Sequence, residues 1–126
     1  MPAMIFVSGP LAGKQFPLAV GTVTLGRLAG CDVQVRDMRV SREHCRLWFD
    51  HAARSYMIAD LGSANGTLVQ GHVLTHEHPL RGDEIIQIGS TIFRFDLHAP
   101  LTDPAAALEA LRSHVRGQES FKTSHS

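Results

Sequence analysis

Two cysteines in 126 residues, Cys31 and Cys45, are too few for a disulfide framework and form no Cys-x-x-Cys pair. Free thiols are therefore expected, which fits a reducing cytoplasm. Neither sign of charge is in excess: twelve basic residues balance twelve acidic ones. No global field draws such a chain to nucleic acid or to an anionic membrane, so any anion site must be local. No apolar run approaches the ~18 residues of a membrane span. Met1-Pro2-Ala3-Met4 lacks the basic start of a signal peptide. Internal repeats are absent too. With 44% apolar residues the chain is globular, and 126 residues suit one domain with a real core rather than two.

What the chain does have is a succession of short β-prone runs cut by turns. Met4 to Val7 ends at Ser8-Gly9-Pro10. Gly13 to Leu18 reads as an edge strand, because Pro17 cannot donate to a ladder. Val20 to Leu25, Asp32 to Val35, His44 to Phe49 and Tyr56 to Asp60 follow, the second alternating with the period of a half-buried strand. Gln70-Gly71 is a tight reversal between Thr67-Leu68-Val69 and His72-Val73-Leu74. Glu84 to Ile88 and Thr91 to Phe95 flank Gly89-Ser90. Strands with no helix between them predict an all-β fold, an antiparallel β-sandwich. Beyond Leu97 the composition changes. Thr102-Asp103-Pro104 is a helix start, Ala105 to Val115 favours helix, and Gly117 is a stop. The expected organisation is a sandwich over 1–97, then a short helix and polar tail over 98–126. The stripe Leu108, Leu111 and Val115 suits packing on the sandwich or docking of a partner.

Three polar loops stand at strand ends. Gly26-Arg27 closes one strand, Ser41-Arg42-Glu43-His44 opens another, and Asn65-Gly66-Thr67 follows the turn Asp60-Leu61-Gly62-Ser63-Ala64. Converging at one rim, they would present two cations, a hydroxyl and an amide, a set suited to phosphate and peptide backbone. The order of Leu25-Gly26-Arg27, Cys31-Asp32, Val40 to His44, Asp60 to Thr67, Leu80 to Asp83 and Ile88-Gly89 resembles the forkhead-associated (FHA) domain, of the SMAD/FHA type of sandwich. The resemblance covers roughly residues 4–96, and the joint pattern is far more specific than any one motif.

The resemblance implies a non-catalytic module that binds phosphothreonine-containing partners of a Ser/Thr kinase, without cofactor or metal. It makes Arg27, Ser41 and Arg42 the phosphate contacts and Asn65 a peptide-backbone contact. Gly26, His44 and Gly66 support the site. Arg39 lies where some family members read the third residue after the phosphothreonine. Ala64 departs from the Thr or Ser that many members carry, which removes one hydroxyl from the ligand's reach. The alternative use of the fold is phospho-independent assembly or self-association, and the sequence leaves the oligomeric state open.

Three other motifs lead nowhere. Gly9 to Lys14 is a broken phosphate loop, with Ser8 in place of its first glycine and Gln15 in place of the magnesium-binding hydroxyl. Ser41 and His44 suggest a hydrolase pair, but no Gly-x-Ser-x-Gly elbow exposes the serine. His72, His76 and His78 match no metal-ligand spacing, and no cysteine joins them.

Overall fold

Alternating apolar side chains build two facing sheets. The computed structural model describes residues 1–18 and 21–100. The strands are β1 (Ala3–Ser8), β2 (Gln15–Pro17), β3 (Val23–Gly26), β4 (Val33–Gln34), β5 (Cys45–Asp50) and β6 (Ser55–Asp60). They continue with β7 (Thr67–Val69), β8 (His72–Val73), β9 (His78–Leu80), β10 (Ile85–Ile88) and β11 (Thr91–Asp96). One sheet runs β2-β1-β11-β10-β7-β8 and the other β4-β3-β5-β6-β9. This is the expected β-sandwich, and no helix occurs among the described residues. The helix expected after Thr102 lies outside them.

Period-two alternation carries the core. Thr91, Phe93 and Phe95 of β11 point inward and are fully buried, while Ile92, Arg94 and Asp96 are not. Met4 and Phe6 of β1, Leu47 of β5, Ile58 of β6 and Ile86 and Ile88 of β10 meet them between the sheets. Phe6 packs on Phe93 at 5.1 Å between ring centroids, and Tyr56 on Phe95 at 5.4 Å. Each such buried side chain contributes about 1.5–3 kcal/mol before conformational entropy is subtracted. Prolines blunt two outer strands, Pro17 in β2 and Pro79 in β9.

Local features go beyond the sequence expectation. β3 and β4 pair in parallel, Leu25 with Val33 and Gly26 with Gln34. The tight return over 27–32 allows this, held by the Cys31 N–H on the Leu28 carbonyl (3.1 Å) and the Thr24 N–H on the Asp32 carboxylate (2.9 Å). β9 has no apolar alternation to announce it; pairing with β6 makes it a strand. In the β7–β8 reversal both Gln70 (φ 52°) and Gly71 (φ 79°) are left-handed, as a type I′ hairpin turn demands. The chain stays packed past Leu97: Ala99 is buried, and the Pro100 carbonyl accepts Gln15 Nε2 at 3.0 Å.

Candidate functional site

The polar loops have to cross somewhere, and Gly26 is where they do. A Cβ on Gly26 would lie 2.1 Å from the Arg42 carbonyl oxygen and 2.8 Å from Cys31 Sγ. Through this contact the Arg27 N–H reaches the Ser41 carbonyl (3.0 Å) and the Leu28 N–H that of Arg42 (3.3 Å). Cys31 Sγ also reaches the Arg42 carbonyl, at 3.2 Å. Burial, and then the negative charge of Glu43, push the Cys31 thiol above its ordinary pKa, so it is a packing group rather than a thiolate.

His44 joins the second loop to the third. Its ring is fully buried. Nδ1 accepts the Ser41 N–H at 3.0 Å, so the ring proton sits on Nε2, which donates to the Gly66 carbonyl at 2.8 Å. Gly66 holds a left-handed φ of 83°, which turns that carbonyl inward. The imidazole therefore meets Ser41 through its backbone N–H and not through its hydroxyl. That is brace geometry and not a nucleophile–base pair.

Two carboxylates fix the loops from behind. Asp60 accepts the Gly62 and Ser63 N–H groups and the Ser63 and Thr67 hydroxyls, at 2.5–3.0 Å. Partial burial opposes its charge, but these bonds outweigh it and hold the carboxyl below the usual range. Ser63 Oγ in turn accepts the Gly66 N–H at 2.9 Å. Asp37 accepts the Arg39 N–H (2.9 Å), the Ser90 N–H (2.8 Å) and the Thr91 hydroxyl (2.9 Å), tying the loop before β5 to the β10–β11 turn. Sequence reading gave neither Asp37 nor Ser63 a role. An Asp followed three residues later by Ser was a usable turn signal for Ser63. Asp37 had none, because its partners lie far along the chain.

The front of this scaffold keeps donors free. Ser41 Oγ accepts the Ala64 N–H at 2.9 Å, which leaves its own O–H free to donate. Ala64, lacking a hydroxyl, thus serves through its backbone. Arg27 gives Nε to the Val40 carbonyl (3.0 Å), which steers the guanidinium while its terminal nitrogens face out. Among the described residues only Arg94 makes ion pairs, so Arg27 and Arg42 are in contact with no described carboxylate, while the charge of Arg39 acts on the nearby Asp37. Asn65 Nδ2 donates to the Arg39 carbonyl (2.9 Å), leaving its Oδ1 to accept. Residues 37–40 form a turn closed by the Val40 N–H on the Asp37 carbonyl (2.9 Å) rather than an extended segment. Val40 is nevertheless buried while Arg39 is exposed on the loop surface. Arg27, Leu28, Ser41, Arg42, Glu43 and Leu61 line one open depression at the rim. His72, His76 and His78 are exposed, and no metal-binding group of three or more occurs among the described residues.

The three loops of this β-sandwich are thus cross-braced around a rim that carries two arginines and a hydroxyl. Residues 23–89 match the FHA domain family, and the chain belongs to it. FHA domains are binding modules rather than enzymes. A relative, the human angiogenic factor with G patch and FHA domains 1, is 33% identical over 114 residues, covering 78% of this chain and 15% of that protein. The chain thus spans a small part of that relative's length. Among solved structures, the FHA domain of the CT664 protein from Chlamydia trachomatis superposes with a TM-score of 0.72 at 27% identity, covering 78% of this chain and 98% of that one. A structure solved in work on phosphothreonine-dependent FHA domain interactions gives 0.69 at 27% identity, covering 79% and 98%.

Proposed function

We propose that the rim binds a phosphothreonine-containing segment of a partner protein, the substrate of a Ser/Thr kinase or the kinase itself. One observation carries the reading: Arg27, Arg42 and Ser41, whose O–H is free to donate, line the same open depression, and no described carboxylate is ion-paired to either arginine. A phosphate near −2 meets two cations and a hydroxyl there, Arg27 held through its Nε and Arg42 exposed, each charge-assisted bond contributing about 1.5–3 kcal/mol. Ordering the peptide offsets most of that, so affinity falls in the micromolar range, about −8 kcal/mol. Asn65 Oδ1 accepts a peptide N–H beside the phosphate. The phosphothreonine-dependent interactions studied for the neighbouring structure support the same assignment.

Family resemblance implies a small apolar niche for the threonine methyl beside the Asn65 loop, so phosphothreonine should be preferred over phosphoserine tenfold or more, a methyl there being worth about 1–3 kcal/mol. An oriented phosphopeptide library checks this, and equal retention of both residues would contradict it. Arg39 should add a modest preference for an acidic residue at the third position after the phosphothreonine. An exposed pair contributes only about 0.2–1 kcal/mol, and the preference should fade in salt and in Arg39→Ala.

A further inference from the structure

We infer that Glu43, with Leu28 and Leu61, forms a subsite for a lysine or arginine side chain flanking the phosphothreonine. The inference rests on the phosphothreonine reading above. Glu43 shares the depression with Arg27 and Arg42 yet makes no ion pair with either, although both are cations and one is its chain neighbour. A phosphate carrying nearly two negative charges neutralises the two arginines. Glu43 is then the uncompensated charge of the occupied site.

Two leucines share the depression with that charge. Leu28 is 45% exposed, an open aliphatic surface on the loop after Arg27. Leu61 lines the same depression, and its backbone is fixed by its N–H on the His44 carbonyl (2.9 Å). A long basic side chain fits this combination, its methylene stem lying on the leucines and its cation reaching the carboxylate. An acidic side chain at the same position meets repulsion from Glu43, and a short polar one leaves the leucines uncovered. The subsite is conditional on the phosphate. Without it, Arg27 and Arg42 repel an incoming cation, so an unphosphorylated basic peptide gains nothing.

The test uses the full chain and fluorescent phosphothreonine peptides carrying lysine, alanine or glutamate at each position within three residues of the phosphothreonine. The alanine peptide is the reference for each protein. Wild type should favour lysine over alanine about two- to fivefold at one position, the range of an exposed ion pair. Glu43→Gln should abolish that ratio, Glu43→Lys should turn it toward glutamate, and Leu28→Ser should reduce it. The unphosphorylated lysine peptide should show no gain over its alanine counterpart. If phosphopeptides bind but no position favours lysine, or the ratio survives in Glu43→Gln, the subsite is wrong while the phosphothreonine reading stands. If no phosphopeptide binds at all, both fall together.

Discussion

Gly26→Ala should destabilise the domain by about 3 kcal/mol or more, at or above the usual cost of overpacking. The constraint is space rather than backbone conformation, because Gly26 is not among the left-handed glycines. The methyl would meet the Arg42 carbonyl oxygen at 2.1 Å and its carbon at 2.8 Å. Both belong to backbone, which cannot swing aside as a side-chain tip does. Relief requires moving the Ser41-Arg42 segment, which breaks the Arg27 N–H bond to Ser41 and the Leu28 N–H bond to Arg42. The fold and the rim therefore fail together. For a domain of this size the melting temperature should fall by roughly 10 °C or more. Gly30→Ala is the control, since nothing lies within 4 Å of a Cβ there. Scanning calorimetry on the two variants decides it: equal melting would show that the crossing at Gly26 is not as tight as the geometry demands.

Asp37→Ala should cost about 2–4 kcal/mol, because it leaves the buried Thr91 hydroxyl unpaired, at roughly 1–3 kcal/mol, and two partly buried N–H groups besides. The loop it anchors carries Arg39, whose carbonyl holds Asn65, so peptide affinity should drop with stability. Burial works against the charge of Asp37, but the bonds from Arg39, Thr91 and Ser90 prevail and hold its carboxyl below the usual range. A depressed folded pKa makes the contribution complete above the unfolded value of about 3.9 and lost progressively as pH falls through the lower folded value. Urea unfolding at pH 7 and at pH 3 tests the sign. The gap between wild type and Asp37→Ala should be wide at pH 7 and narrower at pH 3. A gap that does not change with pH would mean that the ionised carboxylate is not the anchor.

The sequence exposed those parts of the fold that depend on local pattern. The β-prone run Thr91 to Phe95 after the Gly89-Ser90 turn marked β11, and Pro17 marked an edge strand, because both follow from neighbours along the chain. β9 was not legible: His78-Pro79-Leu80 has no alternation, and only β6 makes it a strand. The parallel pairing of β4 was equally hidden, since it depends on how the return over 27–32 is closed. In the site, the order of Gly-Arg, Ser-Arg-Glu-His and Asn-Gly named the residues on the rim. It did not reveal how they are held. His44 as a brace came from family resemblance, and its two bonds, to Ser41 and Gly66, are visible only in three dimensions. Asp37 reaches Ser90 and Thr91 across 53 and 54 residues, beyond any motif. Ala64, read as a loss, keeps Ser41 in place through its N–H.

The central claim is that the rim reads a phosphate on threonine through Arg27 and Ser41. Isothermal titration of one peptide in phosphothreonine and unmodified forms, against wild type, Arg27→Ala and Ser41→Ala, addresses it most directly. Wild type should bind the phosphorylated form at about micromolar Kd and the unmodified form at least tenfold more weakly. Each variant should lose at least tenfold for the phosphorylated form, about 1.4 kcal/mol or more, while remaining folded, because each gives up only one bond between loops outside the core. Equal binding of the two peptides by wild type, or wild-type affinity in a folded Arg27→Ala, would contradict the account.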